Sequence, residues 1–159
     1  MDSSLRSFLA ASTLLCAAAL PPAHAAGTIE VQWLEPAQYS DAGRSNVDRE
    51  RVTQILGQHF QKLARLLPDG QLLKVQVTDL DLAGEIEPFR WHDLRVLRGR
   101  ADWPRMSLRY TLSAEGRTLK SGEAQLQDMG YAFSRRAEDL GHEKRMVEQW
   151  VRAEFSGLR

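Results

Sequence analysis

Four carboxylates stand within nine residues at Asp79, Asp81, Glu85 and Glu87. Clustered oxygen ligands are what a hard cation such as calcium requires, and an extended chain would point Asp79 and Asp81 to the same side. The run lacks the glycine and the distal bidentate glutamate of a helix-loop-helix calcium site. Asp-x-Asp also holds a metal and a nucleotide sugar in glycosyltransferases, but this chain is short for such a fold. His92 lies close by in sequence and adds a group able to move a proton. A metal-dependent protein or small hydrolase centred on Asp79, Asp81 and Glu85 with His92 is therefore one functional reading. The plainer one is that these acids pair with nearby arginines or cap turns.

The arginines follow directly. Arg90, Arg95, Arg98, Arg100, Arg105 and Arg109 fall within 20 residues that hold only Asp93 and Asp102 as acids. Phe89, Trp91, Trp103 and Tyr110 are interleaved with them, and arginine beside aromatic residues is the composition of binding hot spots and anion sites. The candidate contact set is Arg90, Trp91, Arg95, Arg98, Arg100 and Trp103, facing an envelope protein or an anionic envelope component. Against it, Arg105 and Arg109 sit on the polar side of an alternating strand, and the preceding acids could neutralise part of the cluster. The aromatics of the same segment could instead close a homo-oligomer. The histidines outside the N-terminal leader, His59, His92 and His142, show no His-x-His or His-Glu-x-x-His spacing, so zinc is not expected. No Gly-x-Ser-x-Gly elbow or phosphate-cradling glycine loop occurs. No catalytic residue and no cofactor is assigned, and the favoured reading is a non-enzymatic binding or accessory module.

Composition narrows the setting. The chain has 159 residues, 21 basic against 21 acidic, and is 43% hydrophobic. Balanced charge gives no global field for nucleic acid, so no nucleic-acid partner is expected. The apolar share argues against wholesale disorder. Residues 1–25 read as a secretory signal: Arg6 provides the positive start, an apolar run follows from Phe8 to Leu20, and Ala23-His24-Ala25 ends in a cleavage pattern. That run is well short of the ~20 residues a membrane-spanning helix needs, and no later stretch is both long and uncharged. No transmembrane span is expected. Cys16, the sole cysteine, lies inside the leader, which leaves the exported chain without disulfides or thiolate chemistry. The expected location is the bacterial periplasm, with residues 26–159 forming a single domain.

The elements that must position these groups are legible by period. Ile29, Val31 and Trp33 alternate with polar residues as a half-buried strand does. Past the Pro36 to Gly43 turn region, Ser45 or Asn46 can cap a helix whose apolar set Val52, Ile55, Leu56, Phe60, Leu63, Leu66 and Leu67 recurs at helical steps. Leu73, Val75 and Val77 mark a second strand. Its alternation slips at Asp79, as a bulge would make it do. Residues 83–103 are the least periodic stretch, with a short strand over Leu94, Val96 and Leu97. Met106, Leu108, Tyr110 and Leu112 define the clearest strand, and Glu115-Gly116 turns it into a return strand carrying Gly122, Ala124 and Leu126. Met146, Val147, Trp150, Val151 and Phe155 form the stripe of a last helix. The order β-α-β-(β)-β-β-α predicts an α+β, two-layer sandwich: a mixed β-sheet with two helices packed on one face.

Tyr39-Ser40-Asp41-Ala42-Gly43-Arg44, Asp79-Leu80-Asp81-Leu82-Ala83-Gly84-Glu85, Leu94-Arg95-Val96-Leu97-Arg98-Gly99, Ala101-Asp102-Trp103-Pro104-Arg105 and Glu143-Lys144-Arg145-Met146 carry a likeness to a known family. Through them the chain resembles the DUF3016 family of exported bacterial proteins of unknown function. The resemblance implies one coherent exported domain and brings no activity, ligand or catalytic residue with it.

Overall fold

The computed structural model describes residues 26–89, 92–99, 101–133 and 139–155. The expected leader, and Arg90, Trp91 and Arg100 of the candidate contact set, lie outside them. Six strands and two helices follow in the order β1 (Thr28–Trp33), α1 (Asn46–Leu63), β2 (Gln71–Asp81), β3 (Glu85–Phe89), β4 (His92–Val96), β5 (Arg105–Ala114), β6 (Arg117–Gln127) and α2 (Gly141–Phe155). The main sheet runs β1-β2-β5-β6, and β3-β4 form a separate two-stranded sheet. β1 and β2 are parallel, joined by α1, while β2-β5 and β5-β6 are antiparallel. This is the α+β mixed-sheet architecture that the element order implies.

Period decides the burial. Ile29 pairs with Leu73, Leu73 with Leu112 and Val75 with Tyr110, so one sheet face is apolar. Onto that face α1 presents Val52, Leu56, Phe60 and Leu63, and α2 presents Met146, Val147, Trp150, Val151 and Phe155, all in one buried cluster. The opposite face stays polar: Glu30, Gln32, Lys74, Gln76 and Arg109 are exposed there. The slip expected at Asp79 is a register shift between Val77 and Asp79, after which Leu80 takes over the core position and is fully buried.

Three local details sharpen or correct the sequence reading. Helix α1 ends at Leu63 and continues as a 3-10 turn over Ala64–Leu66. The tighter turn closes the helix just ahead of Pro68, which has no N–H with which to extend it. Of the two candidate caps it is Ser45 that acts: its hydroxyl accepts from the Asp48 N–H at 3.0 Å, and the Asp48 carboxylate accepts from the Ser45 N–H at 3.2 Å. Both groups of this capping box are thereby engaged. The aperiodic stretch holds not one short strand but a hairpin, β3-β4, paired from Glu85↔Val96 to Phe89↔His92.

Candidate functional site

At the carboxyl end of β2 the chain gathers several separate segments into one network. Tyr39 donates its hydroxyl to the Val77 carbonyl at 3.0 Å. Ser40 donates its N–H and its hydroxyl to the Asp79 carboxylate at 2.7 and 2.8 Å. The Asp41 N–H bonds the Leu80 carbonyl at 2.8 Å and the Leu82 N–H bonds the Asp41 carbonyl at 3.1 Å, so residue 41 runs as a short parallel bridge beside β2. That backbone placement aims the Asp41 carboxylate at the hairpin.

Arg95 of β4 meets it. One guanidinium nitrogen lies 2.8 Å from Asp41 Oδ2, and another donates to the carbonyls of Ala83 and Gly84 at 3.3 and 3.0 Å. Both charged side chains are about three-quarters buried, at 27% and 23% exposure. A planar guanidinium that bridges a carboxylate and two carbonyls fixes orientation as well as distance. Arg98 pairs with Glu87 and lies 4.0 Å from Glu85, while its own N–H reaches Asp102 at 2.7 Å. Arg105 lies 3.3 Å from Asp81, donates to the Ala101 carbonyl at 3.1 Å and stacks over Trp103 with 4.9 Å to the ring centroid. Arg109 faces Glu123 at 2.9 Å on the open side of the sheet.

The candidate carboxylates divide accordingly. Asp79 and Asp81 do share one side of β2, as the strand period requires. Burial raises the Asp81 carboxyl above its ordinary pKa against the pull of Arg105, and the nearby Asp41 and Asp79 charges add to the rise. Glu85, however, belongs to β3 and turns to Arg98. Among the described residues no group of three or more histidine, cysteine or acidic side chains is arranged to hold a metal ion. His92 falls in β4, where the description is of its backbone. Trp103 is half-buried, and its indole N–H finds no acceptor among the described residues.

Three further groups hold this corner, and the sequence reading assigned a role to none of them. Glu143, 3% exposed at the start of α2, accepts the Ala83 N–H at 2.8 Å. Arg145 of α2 folds onto the buried Asp128, with its Nε at 3.0 Å. Tyr131 is buried, receives the Gly99 N–H at 2.9 Å and has its phenol pKa raised, chiefly by burial and then by a hydrogen bond to Asp102. Glu143 and Arg145 stand in a segment that carries the family likeness, which gives neither a role, and an acid in a helix's first turn is shared by many solvated helices.

The hairpin does not close on the domain. Between it, α1 and the start of α2 lies a cleft of about 320 Å³ lined by the apolar Val52, Leu82, Ile86, Leu94 and Leu140 and by the charged Arg44, Asp48, Arg51, Arg95 and Asp139. On the hairpin's other flank a second cleft of about 360 Å³ is lined by Tyr39, Asp41, Asp81 and Glu85 among others. Leu94 and Leu97 are 41% and 51% exposed. Fold and site together define a two-layer α+β domain that carries an ion-paired β-hairpin at one end of its sheet. The chain belongs to the family described as "Protein of unknown function (DUF3016)", whose model matches residues 27–153. No curated protein and no solved structure matches it.

Proposed function

We propose that the protein is an exported, non-enzymatic binding module of the bacterial envelope, and that it docks an envelope protein through the β3-β4 hairpin and the cleft at its base. Export rests on the leader pattern over residues 1–25, and no helix among the described residues is long and apolar enough to cross a membrane. The observation that carries the contact surface is the division of labour along the hairpin. Its described guanidinium groups face the domain's own carboxylates, whereas Leu94 and Leu97 keep about half their surface in water and Leu94 borders the cleft. Apolar surface left outside the core, beside a cleft whose Arg51 and Arg95 already pair with Asp139 and Asp41, favours a protein side chain over a polyanion as the occupant.

Two measurements test this. Cell fractionation with N-terminal sequencing should recover a periplasmic form beginning at Ala26; a form that keeps residue 1 and stays in the cytoplasm would overturn the export half. Affinity capture after in vivo cross-linking should yield a protein adduct that Leu94→Glu and Leu97→Glu together abolish and that polyphosphate does not displace. Retention of the adduct in the double variant, or its loss to the polyanion, would move the surface elsewhere or to anionic ligands.

A further inference from the structure

Strand β6 offers a surface outside that reading. It ends the main sheet, pairing among the described residues with β5 alone, and no backbone hydrogen bond among them ties its outer edge to another segment. An open edge is a template for another strand unless something blunts it. The opposite edge strand, β1, is protected by being only six residues long, whereas β6 runs for eleven. Its first part is blunted by Arg117, by Lys120 and by a register shift that leaves Leu119 unpaired between Thr118 and Lys120. From Ser121 to Gln127 there is no lysine, arginine, proline or further shift. Ser121, Glu123, Gln125 and Gln127 are exposed along that stretch, on the side where Glu123 meets Arg109, while Ala124 and Leu126 pack toward the core. Leu119 and Met129, 52% and 62% exposed, bracket it.

We propose that β6 pairs antiparallel with β6 of a second copy, centred on Ala124, and that the two four-stranded sheets join into one. Opposite residues of an antiparallel pair point to the same side, so the centre must fall on a residue rather than between two. Centring on Ala124 sets Glu123 opposite Gln125 of the second copy, a carboxylate against an amide, and Ser121 opposite Gln127. The same register brings the exposed Leu119 against the exposed Met129. On the core side Gly122 faces Leu126, small against large. Lys120 faces Asp128 just past the strand, opposite in charge, and each is already paired in its own chain, with Glu154 and Arg145. Shifting the centre by one residue loses this match: at Glu123 it opposes two carboxylates, and at Gln125 it sets Met129 against Ser121. A strand that complements itself residue by residue is what a two-fold symmetric pair requires, and for that reason the occupant is this chain and not an unrelated strand.

Cysteine cross-linking in the full chain, with Cys16→Ser removing the native thiol, reads the register. Ser121→Cys and Gln127→Cys, both at exposed positions, stand opposite one another in the joined sheet with Cα atoms about 5 Å apart, inside disulfide range. Two copies of either variant alone hold their thiols ~20 Å apart, six residues at the strand rise. Under mild oxidation the mixture should therefore form a disulfide-linked dimer that neither variant forms by itself. Sedimentation of the unsubstituted chain over a concentration series should show a reversible dimer. Gln125→Glu, which opposes carboxylates at two places along the joint, should weaken that dimer ~10-fold, and Glu123→Gln added to it should restore association by re-forming the carboxylate–amide pair. A monomer throughout the series, no linkage in the mixture, or linkage of either variant alone at the mixture's rate would overturn the pairing. So would a dimer indifferent to Gln125→Glu, or one that Glu123→Gln fails to restore.

Discussion

Glu143 shows what a single buried acceptor does at this corner. Its carboxylate, on α2, satisfies the backbone N–H of Ala83 just ahead of the hairpin. A buried N–H with no acceptor costs about 1–3 kcal/mol, so Glu143→Ala should lower stability by about that amount in urea unfolding, whereas Glu143→Gln, which retains an oxygen acceptor, should lose less than half as much. Equal losses in the two variants would show that the carboxylate's charge, not its acceptor role, matters. Residue-level legibility followed sequence distance. Asp79 and Asp81 could be placed on one side of a strand because alternation is local. The partner of Arg95 could not be read, because Asp41 lies on a different segment that only the fold brings near.

At the scale of elements, β6 explains its own glycine. Gly122 pairs with Tyr110 across the sheet, and a Cβ at this position would lie 3.1 Å from the Tyr110 hydroxyl oxygen. The bare backbone there admits an aromatic cluster in which Tyr110, Trp150 and Phe155 meet edge-to-face with centroids 5.3 to 5.6 Å apart. It also lets the Tyr110 hydroxyl reach Glu154. Gly122→Val should crowd Tyr110 out of that position and cost about 1–3 kcal/mol, the usual penalty of overpacking, with a loss of near-UV circular dichroism from the cluster. A variant as stable as the parent would mean that the cluster relaxes freely. Strand β5 and helix α2 were legible because each buries one face and so repeats at its own period, and β6 because the Glu115-Gly116 turn joins it to β5. The hairpin β3-β4 was only half legible, since Glu85 and Glu87 alternate with residues that lack a common apolar face, and its charges are matched by Arg98 rather than by burial.

Over the whole molecule, the two-layer arrangement followed from element order, because both helical stripes need one apolar sheet face to cover. The pH response is likewise a property of the assembled layers. Burial pushes the phenols of Tyr39 and Tyr110 from the ordinary 10.0 up to about 12, and the Glu154 contact adds to the rise at Tyr110. Their contribution to stability is complete below pH 10 and is lost as pH climbs through about 12. Thermal unfolding followed from pH 9 upward should therefore show a falling midpoint over that interval, and Tyr110→Phe should flatten part of the fall. On the acid side Glu148 and Glu154 are held below the ordinary carboxylate value, the first by Arg152 and the second by Lys120 and then Tyr110. Their stabilisation is present above the unfolded-state pKa and fades as pH drops through the folded one. A midpoint that rises with alkali would contradict the burial assigned to the two phenols.

Which surface of this domain meets another molecule is the central question, and site-specific photo-cross-linking in the producing cell tests it most directly. A photoreactive residue in place of Leu94 or Leu97 should give a discrete protein adduct, while the same group at Gln76, exposed on the open sheet face, should give none. An adduct at Gln76 with nothing at the hairpin would contradict the docking surface proposed above.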